Sequence, residues 1–448
     1  MKKFVFILLL LPSVAAFSQK IFFDSAAYIA FYKSHYDQSY YSKSSLTTED
    51  KIAGLSRAWA EARWTFANFD KIPLLNWDSV YYTYISKVQL AKNDKEYYKV
   101  LMSFYQNLHD GHSGIMPPES QWDDSYATLP VAVKWIENKS VIWEVESKTK
   151  EYNVLKPGMI IEKINDVFVN DFVAKNISPY LSFATTQDSI ARIYSYELFA
   201  GNIKQPLKLT VKDTNGKIAE YNLSRVNIME RFKMLPLVDF KVLPGNIGYL
   251  KLNTFGMDTV VKIYDSLFPQ IEKTNALIID IRNNGGGNSS VGYEILGTLT
   301  NKPFYQEQEV IRHHTPVKRA WGEPESIDIE RYDWKPYKLM LYDKQVALLI
   351  SGNTYSAAED FTVAFKSIKR GKLFGQPTGG STGQPVTFDL PGGGKGRVCA
   401  KRDLMYDGSE FIGIGIKPDV EVDYTIKAVV HGRDEVVDAA VKYLSGEK

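Results

Sequence analysis

Cysteine is nearly absent from this chain: Cys399 is the one cysteine in 448 residues, so no intramolecular disulfide contributes to the fold. It lies in the apolar, strand-like run RVCAKR and is expected to pack as a small hydrophobe. Long apolar runs are equally scarce. Beyond residues 4–11 no stretch is apolar and long enough to span a bilayer, which argues against a transmembrane anchor. That first run follows Lys2 and Lys3 and precedes Pro12 and small residues, the pattern of a secretory leader cleaved after Ser18 or Ala16. The expected product is exported, periplasmic in a Gram-negative cell, and without a cysteine at the cleavage site it has no lipoprotein-type anchor. Excess charge is missing too. There are 54 Lys and Arg against 52 Asp and Glu, a formal net charge of +2 that falls to about zero when Lys2 and Lys3 leave with the leader. With no basic field, nucleic acid and anionic lipid are not expected partners.

What is present divides the chain into residues 1–18 (leader), 19–120, 121–228 and 229–448. The 19–120 segment reads as an amphipathic helical bundle: Thr47 to Asp50 open one helix, and residues 78–90 and 96–108 give two more. It ends in NLHDGHSGIM, where Gly111 and Gly114 break the helix and Pro117-Pro118 prevents its return. His109 and His112, two of only six histidines, fall there; such residues are solvated loop histidines or reach another domain. The 121–228 segment is β-rich, with LPVAV, SVIWEV, MIIEKIN, LKLTV and AEYNLS as strands, interrupted by an insertion over residues 174–204. From residue 229 strands and helices alternate, which implies a parallel or mixed sheet covered by helices, followed by a β-rich tail.

Two corners of that α/β region carry candidate chemistry. VALLISGNTYSAAEDFTVAF runs a buried strand into a helix beginning near Ser356. A hydroxyl there lies beside free helix-start amides, as a nucleophile needs; alternatively Ser356 caps the helix, with Glu359 completing an S-x-x-E capping box. ALIIDIRNNGGGNSS runs another strand into three glycines, whose amides a ligand oxygen can approach with no Cβ in the way. The alternative is a tight turn supported by a polar network of Asp280, Arg282 and Asn284; the lysine of a P-loop is absent.

These segments, with LHDGHSG, VLKPGMIIEKINDVFVND, IGYLKLNTF, GQPTGG and IGIKPDVEV in the same order, resemble the S41 family of serine peptidases, the C-terminal processing and tricorn-core peptidases. The resemblance implies an α/β fold with a crotonase-like (ClpP/crotonase-type) catalytic core, an N-terminal helical bundle and a PDZ-like β-rich domain. It also implies a serine endopeptidase acting on extended or C-terminal segments of a peptide or unfolded protein, with no metal and no cofactor. Ser356 then matches the nucleophile, and the oxyanion donors are the amides of Ala357 and of Gly286 or Gly287. The processing branch places a lysine base after the serine, but counting forward to its position lands on Ser381. In the tricorn-like branch the base is a histidine, matched by His112. That branch adds a serine beside the histidine and a glutamate near the G-x-x-P-D segment, for which Ser113 and Glu410 are the candidates. If Glu410 fails to reach the site, the implied alternative is a weak or inactive peptide-binding protein on the same scaffold. A small-ligand binder on the crotonase-like fold is a third reading. Oligomeric state is open.

Overall fold

The computed structural model describes residues 23–36, 45–147, 149–233 and 236–446. The leader, residues 1–18, lies outside the described residues. Residues 41–448 form one compact unit, and the helix Ser25–Tyr36 belongs to a separate one.

The unit opens with helices Thr48–Thr65, Trp77–Leu90 and Asp94–Gln106. The first starts where its sequence signals: Thr47 Oγ1 accepts from the Asp50 amide, and the Asp50 carboxylate accepts from the Thr47 amide, a reciprocal capping box. Its Leu55, Ala58 and Ala62 lie three or four residues apart and are fully buried against Trp77, Phe104 and Tyr105. This core is not closed by the helices alone. It includes Phe388, Leu390, Val398 and Cys399 from the far end of the chain, and Tyr98 Oη donates to the Pro391 carbonyl at 2.6 Å. Cys399 is thus a buried small hydrophobe, as its sequence context implied.

Strands Val131–Ile136, Lys139–Val145, Ile160–Ile164, Leu207–Lys212 and Ile218–Leu223 form an antiparallel sheet over a core of Leu129, Val133, Ile142 and Leu209. The insertion within it is helical: it begins in the last turn of the helix Val169–Asn176 and contains Thr186–Arg192 and a π-helical turn at Ile193–Glu197.

A separate six-stranded sheet is mixed, in the spatial order Val238–Leu243, Ile247–Leu252, Ala276–Asp280, Gln345–Ile350, Gly371–Gly375 and Val420–Glu421. The Val238–Leu243 edge strand is antiparallel to its neighbour, and every other pair is parallel. Alternate residues of Gln345–Ile350 serve opposite faces: Val346, Leu348 and Ile350 pack with Phe361 and Phe365, while Ala347 and Leu349 pack with Val436 and Ala440. Burial on both faces is why this strand reads as an unbroken apolar run. The tail is not purely β-rich, since helices Ile426–Val430 and Glu435–Leu444 close it and the second covers a sheet face.

Candidate active site

The parallel strands deliver their C-terminal ends to one edge, and polar contacts stitch those ends together. Ser351 Oγ donates to the Arg282 carbonyl at 2.6 Å, Thr354 Oγ1 to the Ile281 carbonyl at 2.9 Å, and the Tyr355 amide to the Asn284 carbonyl at 3.0 Å. The 351–355 loop is thereby clamped onto the glycine turn before the helix Ala357–Ile368 begins.

Ser356 sits at the corner with φ 55° and ψ −131°, a sparsely populated conformation for a residue with a Cβ, costing roughly 1–3 kcal/mol. Its side chain makes no capping hydrogen bond. The capping alternative is therefore overturned: the hydroxyl caps no helix amide, and the Glu359 carboxylate binds the 378–381 loop. The strain is held by close packing. A Cβ on Gly286 would fall 2.7 Å from Ser356 Cβ and 2.9 Å from the Ala357 nitrogen, so only glycine lets the two corners meet.

The glycine amides are not equivalent. The Gly286 amide donates to Asn284 Oδ1 at 2.9 Å and is already used, contrary to the expectation that it is an available donor. Among the described residues, the amides of Gly287 and Ala357 have no hydrogen-bond partner. Asp280 and Arg282 form the supporting network. Arg282 donates to Asp280, Asp434 and Tyr424, and against the cost of burial its charge and hydrogen bonds take the Asp280 carboxyl down to about 2.

His112 is buried and reaches the same edge from the other end of the chain. Its amide donates to Asp110 Oδ1 at 3.0 Å, and its ring stacks on Tyr355 with centroids 5.0 Å apart and planes 11° apart. The strand that follows, Gly114–Met116, pairs with Lys395–Cys399 in the register Gly114 opposite Arg397. Two guanidinium groups converge on the peptide before the histidine: Arg192 Nη2 and Arg397 Nη2 both donate to the Gly111 carbonyl, at 3.0 and 3.2 Å. Burial, aided by Arg397, Arg192 and Lys401, pushes the imidazole well below its ordinary pKa, so the ring is neutral at neutral pH.

The histidine's partner is Ser381, whose Oγ lies 2.9 Å from His112 Nδ1. Ser381 is held in turn by Glu359, a fully buried carboxylate that accepts from Thr378 Oγ1, the Gly380 amide and the Ser381 amide at 2.6, 2.8 and 2.9 Å. Burial raises Glu359 to about 7 against these three hydrogen bonds. If Ser381 accepts from Nδ1–H, the lone pair is left on Nε2.

Glu410 is not part of this arrangement. It is paired with Lys71 and Arg402 at the surface, because its chain segment folds back in an antiparallel bridge with Leu404. Ser113 accepts from the Cys399 amide at 3.1 Å, a strand-anchoring contact. His109 is exposed.

Ser356, His112, Gly287 and Tyr355 line one cavity of about 470 Å³, together with Asp188, Arg192 and Arg397. Sequence reasoning missed Ser381, Glu359, Arg192 and Arg397 as contributors to the site. For Ser381 a signal existed, since it occupies the position where a lysine was sought; Arg192 lies in the insertion and carried none.

Residues 246–422 match the sequence profile of Peptidase family S41. The chain is 27% identical over 188 residues, 42% of its length, to a "Probable CtpA-like serine protease" of Staphylococcus aureus (strain N315). It is also 27% identical over 184 residues, 40% of its length, to "Carboxyl-terminal-processing peptidase 2, chloroplastic" of Arabidopsis thaliana. These alignments span about a third of the relatives, 35% and 33% of their lengths. The fold is similar to that of mature CPAF, with a TM-score of 0.69 at 14% identity, covering 89% of this chain and 98% of that one.

Proposed function

We propose that this chain, a member of peptidase family S41, hydrolyses peptide bonds with Ser356 as nucleophile and His112 as general base. The observation that carries this reading is the corner itself: a serine with positive φ, free of any capping role, in one cavity with a neutral histidine and the unpartnered Gly287 amide, and followed in the chain by the unpartnered Ala357 amide. A strained strand-to-helix turn is a recurrent way to expose a nucleophilic hydroxyl.

In the proposed sequence Ser356 Oγ attacks the scissile carbonyl carbon as His112 Nε2 takes its proton. The Gly287 and Ala357 amides donate to the oxyanion that forms. The protonated imidazole then gives its proton to the leaving amine, and water, activated by the same nitrogen, releases the acyl group from Ser356. Ser381 holds Nδ1 in the part usually given to a carboxylate, and Glu359 holds Ser381. The roles expected of Glu410, Ser113 and the Gly286 amide are withdrawn from this scheme.

The finer architectural reading, a crotonase-like core with a PDZ-like module at 121–228, is part of the same proposal. It is supported by the parallel sheet that ends at the cavity and by the antiparallel sheet whose helical insertion lends Asp188 and Arg192 to the cavity wall. The substrates are extended polypeptide segments, and export follows from the leader-like residues 1–18.

A fluorophosphonate probe tests the chemistry. Labelling of the wild type that disappears in Ser356→Ala and drops sharply in His112→Ala is the expected result. A folded wild type that binds peptide but takes no label overturns the peptidase reading in favour of a binding protein.

A further inference from the structure

The charges lining the cavity do not cancel. Asp188 and Arg192 neutralise each other, with Arg192 Nε 2.6 Å from Asp188 Oδ1. The Asp188 Oδ2 atom is taken by the Ala184 amide. His112 is neutral. That leaves Arg397, which among the described residues has no carboxylate within ion-pair distance and one hydrogen bond, to the Gly111 carbonyl. Asp110, the other acid nearby, is buried and turned toward the His112 and Ser113 amides. A guanidinium carries five N–H donors, so most of those on Arg397 are uncommitted, in a wall that also holds the nucleophile.

Its placement is rigid. Arg397 lies in the middle of a three-stranded sheet, opposite Gly114 on one side and Thr387 on the other. The bond to Gly111 puts the guanidinium against the peptide unit that leads directly into His112. In the proposed mechanism the imidazole returns its proton to the leaving amine, so the histidine side of the cavity is where the leaving-group half of the substrate lies.

Resting on that reading, we infer that Arg397 is a specificity residue that binds a substrate carboxylate just beyond the scissile bond. A planar guanidinium binds a carboxylate through two parallel hydrogen bonds, and the chemistry is the same for an acidic side chain and for a chain-terminal carboxylate. Burial and the neighbouring Arg192 both disfavour the Arg397 cation, so an arriving anion relieves an existing cost.

The test uses the full chain and peptides cleaved at one bond. One pair carries Glu or Gln immediately after that bond; a second pair ends two residues after it as the free acid or the amide. The wild type is expected to prefer one acidic member by roughly ten- to a hundredfold in kcat/KM, the range for a charge-assisted hydrogen-bonded pair. Preference confined to the first pair identifies a side-chain carboxylate, and preference confined to the second a terminal one. In Arg397→Gln the ratio falls toward one, and in Arg397→Lys it is intermediate, because the charge remains and the fork is lost. Equal cleavage of acidic and neutral members by wild type that labels at Ser356 overturns the inference and leaves the peptidase reading intact. The wild-type comparison needs no variant to fold. Absence of labelling would instead mark failure of the underlying reading.

Discussion

Replacing Ser381 by alanine is the most incisive perturbation of the proposed site, because it removes one oxygen and touches the histidine without touching the substrate. Ser381 is fully buried, is not among the residues lining the cavity, and contributes the 2.9 Å contact to His112 Nδ1. Its loss leaves a buried ring nitrogen without a partner, a cost of about 1–3 kcal/mol. The imidazole can recover part of that by rotating or by moving its proton to Nε2, and either change takes the lone pair away from Ser356. If that energy is needed to restore the working orientation, kcat falls roughly ten- to a hundredfold, at about 1.4 kcal/mol per tenfold. KM should hold, since no lining residue changes. The assay is steady-state cleavage of a fluorogenic peptide, with the rate of fluorophosphonate labelling and the thermal midpoint measured on the same samples. Ser381→Thr keeps a hydroxyl and should recover most of kcat even if its extra methyl lowers the midpoint. A folded Ser381→Ala variant with wild-type kcat, or one whose defect lies wholly in KM, would refute the argument that this hydroxyl orients the base.

Two further outcomes are expected. His112 is competent as a base when neutral, and its folded-state pKa lies below 6.5, so the acid limb of kcat/KM against pH should fall well below 6.5. The same depression makes the folded state lose stability as pH drops below 6.5, since the unfolded chain then binds the extra proton, so each rate is read beside a melting curve; an acid limb at or above 6.5 in folded enzyme contradicts the assignment. Glu410→Ala should leave kcat/KM within about twofold and stability within about 1 kcal/mol, because its carboxylate is paired with Lys71 and Arg402 in a partly exposed setting. A tenfold kinetic loss would return Glu410 to the mechanism.

The parts of the site that could be read from residues alone are those formed by neighbours in the chain. The strand Ile247–Leu252 coincides with IGYLKL, the strand Ala276–Asp280 runs into the glycine turn as its composition required, and Ser356 stands at a strand-to-helix corner. The wrong alternative there, a capping box, failed for a reason no local pattern contains. Ser356 as a cap needs an extended backbone, and its φ of 55° arises because the 351–355 loop is tied to the end of a strand some seventy residues earlier. Glu359 fits the S-x-x-E pattern equally well, yet its carboxylate is consumed by the 378–381 loop. The Gly286 amide was a plausible donor until the Asn284 side chain claimed it.

Alternation of apolar residues, helix-start chemistry and a run of three glycines act within a few residues and need no knowledge of what packs where. They determined that this protein has a helical opening, a β-rich module and an α/β region with a serine and a glycine turn at strand ends. What faces what across the cavity was decided only by tertiary structure. His112 meets Ser381 at a sequence separation of 269, and Arg397 reaches the Gly111 carbonyl at a separation of 286. Both pairings depend on the register that sets Gly114 opposite Arg397; a slip of one residue would turn that arginine to the other face of its strand and leave the cavity without its unpaired charge.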